Sequence, residues 1–291
     1  MAKGKPKALR PRRAGIVNGL NMEILEVHEN PIFSQQCVGT IAMVTRGTVA
    51  AATAVSLMMD DRSYLKPGQY IKRFIIVGNI LTFQRNQCIN EMEGDWILFI
   101  DSDMVWQPEA TRILVETREK FDLDMIGGLC FQRGDPYQPT MYKMAADDTH
   151  GYTFLERWAE DAAVEVDATG MAFVLIHKRV FDRILTHNNA GPFPEFKDRR
   201  GVRPAPFFRW EEEYGEDFLF CREAKASGNK IFVDTSVKVG HVGEQIITEG
   251  TFLREIVFRD PTATAFREAV LEEIGESVMT REEAMEKIGW H

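Results

Sequence analysis

Short apolar runs alternate along the chain with longer polar, helix-prone stretches. Val38–Val44 (VGTIAMV) reads as a buried strand ending at Thr45-Arg46-Gly47, and the alanine-rich Thr48–Met59 behind it favours helix. A second run, Phe74–Val77, reaches Gly78-Asn79; Phe83–Glu93 then has helical character, and Gly94 supplies a stop. The third run, Trp96–Ile100, is the clearest strand of the chain and leads straight into Asp101-Ser102-Asp103. Pro108 opens the next helix, Pro108–Lys120, in the first turn, where its missing N–H costs nothing. Strands alternating with helices over the first 120 residues predict an α/β fold on a mostly parallel sheet covered on both faces.

Beyond residue 121 the pattern loosens. Leu123–Phe131 and Met171–His177 read as strands, Lys178–Leu185 as a short amphipathic helix, and 186–206, rich in Pro, Gly, Asn and Arg, as a long loop. A helix over Glu216–Ala226 closes at Gly228 before a strand at Lys230–Val239. From residue 260 two small helices are expected. Phe266, Val270 and Ile274 recur at helical spacing, and Thr280-x-x-Glu283 forms a capping box. Helices this short are not stable alone, so this end should pack on the body or join two copies in a homo-oligomer. The expected organisation is a lead-in over 1–35, an α/β domain over 36–250 and a helical extension over 251–291; no internal repeat is present.

Composition narrows the function classes. With 291 residues, 44% apolar and 27% charged, the chain can bury a full core. Its longest apolar run, Met171–Ile176, is far short of the roughly 18–20 residues a membrane span needs. A net charge of −9 does not suit a general nucleic-acid binder. Lys3, Lys5, Lys7, Arg10, Arg12 and Arg13 nevertheless make the N-terminus a basic arm, which reads as a solvated end able to touch phosphate or anionic lipid. No apolar stretch of secretory type follows it. Cys37, Cys88, Cys130 and Cys221 lack C-x-x-C spacing and read as buried thiols in a reducing cytoplasm.

Asp101-Ser102-Asp103 is the centre of the chemistry. Residues i and i+2 of an extended chain project to one side, so both carboxylates face one pocket at the carboxyl end of a central strand, where open α/β sheets bind ligands. Adjacent carboxylates repel unless a cation joins them. Magnesium or manganese, held by one or two carboxylates plus substrate phosphates, suits such a pair. The plainer alternative is that one aspartate merely caps the helix near Pro108.

WILFIDSDMVWQPEAT, preceded by Gly94-Asp95, resembles the aspartate motif of GT-A glycosyltransferases, those of family 2 in particular. Further resemblances follow in order. Arg85-Asn86 is similar to the family's Arg-Asn pair; Val166-Asp167-Ala168-Thr169-Gly170 before Phe173–Ile176 is similar to its small-residue turn and strand. Gly215-Glu216-Asp217-Phe218 resembles its Glu-Asp helix start, and Val239-Gly240-His241 its late histidine. The set covers roughly residues 38–245.

The resemblance implies a Rossmann-like nucleotide-diphospho-sugar transferase fold: a mixed, mostly parallel sheet flanked by helices, with a small C-terminal helical tail. The implied activity is metal-dependent transfer of a hexose from a UDP- or GDP-sugar to a hydroxyl of a protein or glycan, with inversion; a retaining GT-A glycosyltransferase, which shares the fold and much of the motif order, is the alternative. Such a reaction must stabilise the leaving diphosphate, orient the sugar and remove the acceptor proton. By the resemblance Asp103 is the leading ligand of Mn2+ or Mg2+, Asp101 meets metal or ribose, and His241 is a further ligand. Arg85 pairs with the diphosphate, and Thr45, Arg46, Gly47, Asn79 and Ser102 line the nucleotide pocket. Asp217 is the base, with Gly170, Trp210 and Glu216 on the sugar and acceptor side.

Plainer readings stand beside these. Acids in a first helical turn suit the macrodipole without any catalysis, which applies to Glu216 and Asp217 alike. Adjacent helical residues point about 100° apart, so only one of the two faces the pocket. His241 can be an ordinary strand-end histidine, Trp210 a core residue, and Glu211–Glu213 a solvated run; Arg199, Arg200 and Arg203 are loop cations that could meet a phosphate. Val77-Gly78-Asn79 departs from the family, which often has an acid there, and leaves the base of the nucleotide open. A haloacid-dehalogenase-type phosphatase is the rival enzyme, with Asp101 as nucleophile and Asp103 as acid/base. It normally carries this motif on its first strand, whereas two strand-like units precede it here. A glycan- or nucleotide-binding module without catalysis is the non-enzymatic alternative.

Overall fold

The computed structural model describes residues 12–17, 20–26, 36–134, 136–145, 151–188, 207–211, 214–243 and 248–250. The described chain opens with an antiparallel hairpin, β1 (Arg12–Val17) and β2 (Leu20–Glu26). Next come β3 (Gln36–Thr45), α1 (Ala51–Met59), β4 (Gln69–Val77), α2 (Leu81–Glu91) and β5 (Trp96–Asp101). They are followed by β6 (Met104–Trp106), α3 (Ala110–Phe121) and β7 (Met125–Leu129). The second half holds β8 (Met141–Met144), β9 (Tyr152–Phe154), β10 (Ala163–Val166), β11 (Ala168–Thr169) and β12 (Phe173–His177). It ends with α4 (Lys178–His187), α5 (Glu216–Ala226) and β13 (Ile231–His241).

The expected α/β architecture is present. One large sheet has the order β1-β2-β4-β3-β5-β12-β7-β13-β10, with β6 paired to β13, and a small second sheet joins β11, β8 and β9. β4, β3, β5, β7 and β13 run in one direction, while β12 is inserted antiparallel between β5 and β7. β2 and β10 also run against their neighbours.

The central strands are apolar on both faces, which is why their sequences read as continuous runs rather than alternations. Ala42, Val44, Ile97 and Phe99 join one buried cluster with Cys88 and Ile89 of α2, Phe181 of α4 and Phe220 of α5. Ile41, Met43, Leu98 and Ile100 join a second cluster with Leu114 and Val115 of α3. Each fully buried large side chain of this kind stabilises the fold by about 1.5–3 kcal/mol. Gly94 (φ +78°) turns the chain between α2 and β5 against the backbone of Val38 and Gly39, the stop read from the sequence.

Several bounds differ from the sequence expectation. The hairpin of β1 and β2 lies within the residues read as a lead-in and extends the sheet at the edge of β4. α1 begins at Ala51 rather than Thr48, because the Thr45 hydroxyl donates to the Thr48 carbonyl and the Ala50 N–H is taken by the Ser102 carbonyl. α3 begins at Ala110, and the Pro108 carbonyl instead accepts from the Asp61 N–H. α5 has the expected bounds. The basic arm over residues 1–11, most of the 186–206 loop and the two tail helices lie outside the described residues. Among those described, no helix is long and apolar enough to cross a membrane. Cys88, Cys130 and Cys221 are buried free thiols, and Cys37 is a half-buried one.

Candidate active site

Three parallel strands end together. In the ladders Thr45 of β3 stands opposite Val77 of β4, and Val44 opposite Asp101 of β5. The carboxyl edge therefore gathers Thr45-Arg46-Gly47, Gly78-Asn79 and Asp101-Ser102-Asp103. Thr45 is buried, its hydroxyl also accepting from the Gly47 N–H at 3.2 Å, whereas Arg46, Gly47 and Asn79 are exposed along this edge. The Ser102 carbonyl accepts from the Ala50 N–H at 2.9 Å, which ties the first loop to the aspartate motif. The Asp101 N–H donates to the Ala172 carbonyl at 2.9 Å and anchors the motif's other side to the turn before β12. Gly170 lies in that turn, against the Thr140 side chain.

β6 brings His241 to the motif. His241 stands opposite Met104 in the β6–β13 ladder, and the Val242 N–H donates to the Asp103 carbonyl at 2.7 Å. His241 Nε2 lies 3.5 Å from Asp103 Oδ1, and its Nδ1 lies 3.1 Å from the Phe131 carbonyl oxygen. A carbonyl only accepts, so Nδ1 carries a proton, and in the neutral ring the Nε2 lone pair faces the carboxylate. That arrangement is awkward without a cation, and it is the usual one for a histidine that ligates a metal while its second nitrogen is fixed by a carbonyl. Among the described residues, no three His, Cys, Asp or Glu side chains converge closely enough to hold a metal by themselves. The donor set thus fits a two-point anchor whose remaining ligands come from phosphate and water, as magnesium and manganese accept. Burial works to raise the Asp103 carboxyl, but the hydrogen bond and charge that the His241 ring supplies in its protonated form, together with the charge of Arg133, outweigh it and hold it below the ordinary value.

Arg133 was not singled out in the sequence. Its Nη2 lies 3.1 Å from Asp103 Oδ2, on the hairpin that leaves β7. A lone loop arginine carries no pattern that would have marked it.

Arg85 occupies a different place from the one its resemblance implies. It is 2% exposed and packed between the rings of Phe99 and Phe208, with its charged carbon 5.7 and 5.9 Å from their centres. Nη1 donates to the Met171 carbonyl at 3.1 Å, Nη2 pairs with Asp101 Oδ1 at 3.1 Å, and Nε faces Glu216 Oε1 at 3.6 Å. The guanidinium is sealed, with its donors turned to protein rather than to an open diphosphate pocket. Asn86 beside it donates to the Phe208 carbonyl at 2.8 Å and accepts from the Phe208 N–H at 3.2 Å, a two-way clamp on the approach to α5.

At the start of α5 the two acids diverge. Glu216, expected on the sugar and acceptor side, is buried, 6% exposed, and turned onto Arg85. Asp217 is half-buried, and its Oδ1 accepts from the Phe218 N–H at 2.8 Å. Desolvation raises the Asp217 carboxyl above its ordinary value, against the pull of the Phe218 N–H and of Arg85. Glu216 is raised in the same way, with Arg85 opposing. Phe218 packs on Tyr142 and Tyr152, ring centres 4.7 and 4.9 Å away, which fixes the helix start against the small sheet. Trp210 is not a core residue: it is 61% exposed and stands by Gly215, where an added Cβ would meet its ring at 3.9 Å. Glu211 pairs with Arg209 and Arg222 on the surface. Glu212, Glu213, Arg199, Arg200 and Arg203 lie outside the described residues.

Residues 80–187 match the family described as Glycosyl transferase family 2. No curated protein matches the chain in sequence. Solved structures similar to it include A197 from STIV, 16% identical with a TM-score of 0.44 over 74% of this chain and 90% of that one. Another is GalNAc-T7 with UDP, GalNAc and Mn2+, 13% identical with a TM-score of 0.47 over 78% of this chain and 48% of that one. A third is S. aureus TarS 1-349 in complex with UDP-GlcNAc, 14% identical with a TM-score of 0.39 over 82% of this chain and 71% of that one.

Proposed function

We propose, on the premise that residues 80–187 are a glycosyltransferase family 2 domain, that the chain transfers a glycosyl group from a nucleotide-diphosphate sugar to a hydroxyl of a protein or glycan. The observation that carries the reading is the facing pair of Asp103 and His241 at the edge where Arg85 links Asp101 to the start of α5. Thr45, Arg46, Gly47, Asn79 and Ser102 take the nucleotide side of that edge, and Gly170 and Trp210 the sugar and acceptor side. Asp103 and His241 would hold Mn2+ or Mg2+, with Asp101 beside them; the ion supplies Lewis-acid stabilisation of the leaving diphosphate. Asp217 takes the acceptor proton as the new bond forms. Desolvation raises its carboxyl above the ordinary value, which makes its ionised form a stronger base than a solvated aspartate. Attack on the face opposite the leaving group inverts the anomeric centre. Glu216 and Arg85 act on this reaction by position, keeping Asp217 and Asp101 in register. The free thiols support a reducing, cytoplasmic setting.

A thermal-shift screen of UDP and GDP, each with and without Mn2+, tests the reading. One nucleotide should stabilise the chain only with the metal, by about 2.7 kcal/mol at a hundredfold excess over Kd. Stabilisation by neither overturns the donor assignment. Nucleotide binding and transfer that survive EDTA unchanged overturn the metal assignment. Steady release of phosphate from small phosphoesters would instead favour the phosphatase reading of Asp101 and Asp103.

A further inference from the structure

Asp103 divides its carboxylate between two cationic or protonatable partners. Oδ1 faces His241 Nε2 at 3.5 Å, and Oδ2 pairs with Arg133 Nη2 at 3.1 Å. Both partners depend on one hairpin. Its neck is fixed: the Thr140 N–H donates to the Cys130 carbonyl and the Gln132 N–H to the Gln138 carbonyl, each at 2.9 Å, with Phe131 bridged to Pro139. The Phe131 carbonyl in that neck sets the His241 ring. Beyond the neck, Arg133 is 53% exposed, and Gly134 follows it with φ +142°, with open space where a Cβ would stand. The exposed Arg133 side chain can therefore re-aim by rotation about its own bonds while the neck keeps His241 in place.

We propose that Arg133 holds the outer oxygen of Asp103 until a divalent metal arrives with the donor, and then transfers its guanidinium to the donor's diphosphate. The inference rests on the donor reading above. A dication between Asp103 and His241 would sit beside a guanidinium already bonded to the same carboxylate, and like charges that close repel. The planar fork of arginine matches a phosphate bidentately, so the displaced side chain finds a partner in the group that enters with the metal. Arg85, sealed between Phe99 and Phe208, leaves that task to a residue on the open side of the site. Arg133 accordingly opposes metal binding alone and favours metal and nucleotide together.

The test uses the full chain and its Arg133→Ala and Arg133→Lys variants. Mn2+ binding without nucleotide is followed by electron paramagnetic resonance, and UDP and GDP binding at saturating Mn2+ by calorimetry. Arg133→Ala should bind Mn2+ alone about two- to fivefold more tightly, the range an exposed ion pair is worth. The same variant should bind the preferred nucleotide about tenfold more weakly, the scale of a lost charge-assisted bond. Arg133→Lys, which keeps the charge and loses the fork, should fall between. Unchanged Mn2+ affinity, or nucleotide affinity that does not fall, overturns this inference while the donor reading stands. Failure of the unsubstituted chain to bind either nucleotide with Mn2+ overturns both.

Discussion

Arg85→Met removes a buried charge while keeping an unbranched side chain between Phe99 and Phe208. In the native protein the guanidinium meets Asp101 Oδ1 at 3.1 Å and Glu216 Oε1 at 3.6 Å, and no water-exposed face remains to it. Taking away one partner of a buried ion pair leaves the other charged and unsolvated, a loss of about 3–5 kcal/mol. At roughly 2–4 °C per kcal/mol for a domain of this size, the Tm should fall by about 6–20 °C. The pH dependence separates this cause from simple loss of packing. Desolvation raises Glu216 in the folded state, and the Arg85 charge opposes that rise, so the variant carries a still higher folded pKa. A carboxyl whose folded pKa exceeds its unfolded one keeps its full stability below the unfolded pKa and loses it as pH climbs through the folded pKa. The variant's deficit should therefore be largest at pH 7.5 and shrink towards pH 5. Urea unfolding at both pH values measures it, and adding Glu216→Gln to the variant should return at least about 1 kcal/mol at pH 7.5. A deficit within about 1 kcal/mol of zero at pH 7.5, or one that grows in acid, refutes the buried-charge account.

Asp217→Asn should reduce transfer by about a hundredfold or more while sparing the metal-dependent nucleotide shift; equal loss of both would make Asp217 structural. On that proposed role the acid limb of kcat against pH for the unsubstituted chain should lie above the ordinary aspartate value of 3.8, because desolvation raises this carboxyl and a base works only when ionised. Asn86→Ala leaves the Phe208 N–H and carbonyl without partners in a buried place, which should cost about 2–4 kcal/mol by chemical denaturation. Gly39→Ala should destabilise by more than about 1–3 kcal/mol, since its Cβ would lie 2.1 Å from Trp96 Cε2, a rigid ring that cannot yield as a flexible chain end would.

Strands buried on both faces announce themselves, and the apolar run Trp96–Ile100 by itself places the aspartate motif at the edge of the sheet. α5 was equally legible, because Gly215 and Gly228 bracket it. Edge and connecting strands were not. β1 carries two arginines in six residues and reads as a solvated arm, since only its backbone pairing with β2 makes it a strand. β6 spans three residues, too few for any period to register, yet it delivers His241 to Asp103. Arg133 could not be found by pattern either, as its meaning comes wholly from a hairpin folding back onto β5's end. For Arg85 the motif was visible, but burial, which decides what the residue does, is a property of the packed site.

α2 draws these threads into one cause. It buries Thr82, Gln84, Arg85, Asn86 and Gln87, a polar face that on periodicity alone belongs in water. Its polar groups are committed instead to the ends of the elements that build the site. Gln84 Nε2 donates to the Thr45 carbonyl at 2.7 Å and the Ile76 carbonyl at 2.8 Å, joining the tips of β3 and β4. Arg85 joins the tip of β5 to the first turn of α5, and Asn86 holds Phe208 on the way there. Phe208 in turn stacks on Phe220 of α5, rings 4.5 Å apart and 12° from parallel. Three consecutive residues thus address three directions, which a helix permits because each successive side chain turns by about 100°. Hydrogen bonds are directional where apolar contacts are not, so a polar helix in this position fixes the spacing between Asp101 and Glu216 more narrowly than a leucine stripe would.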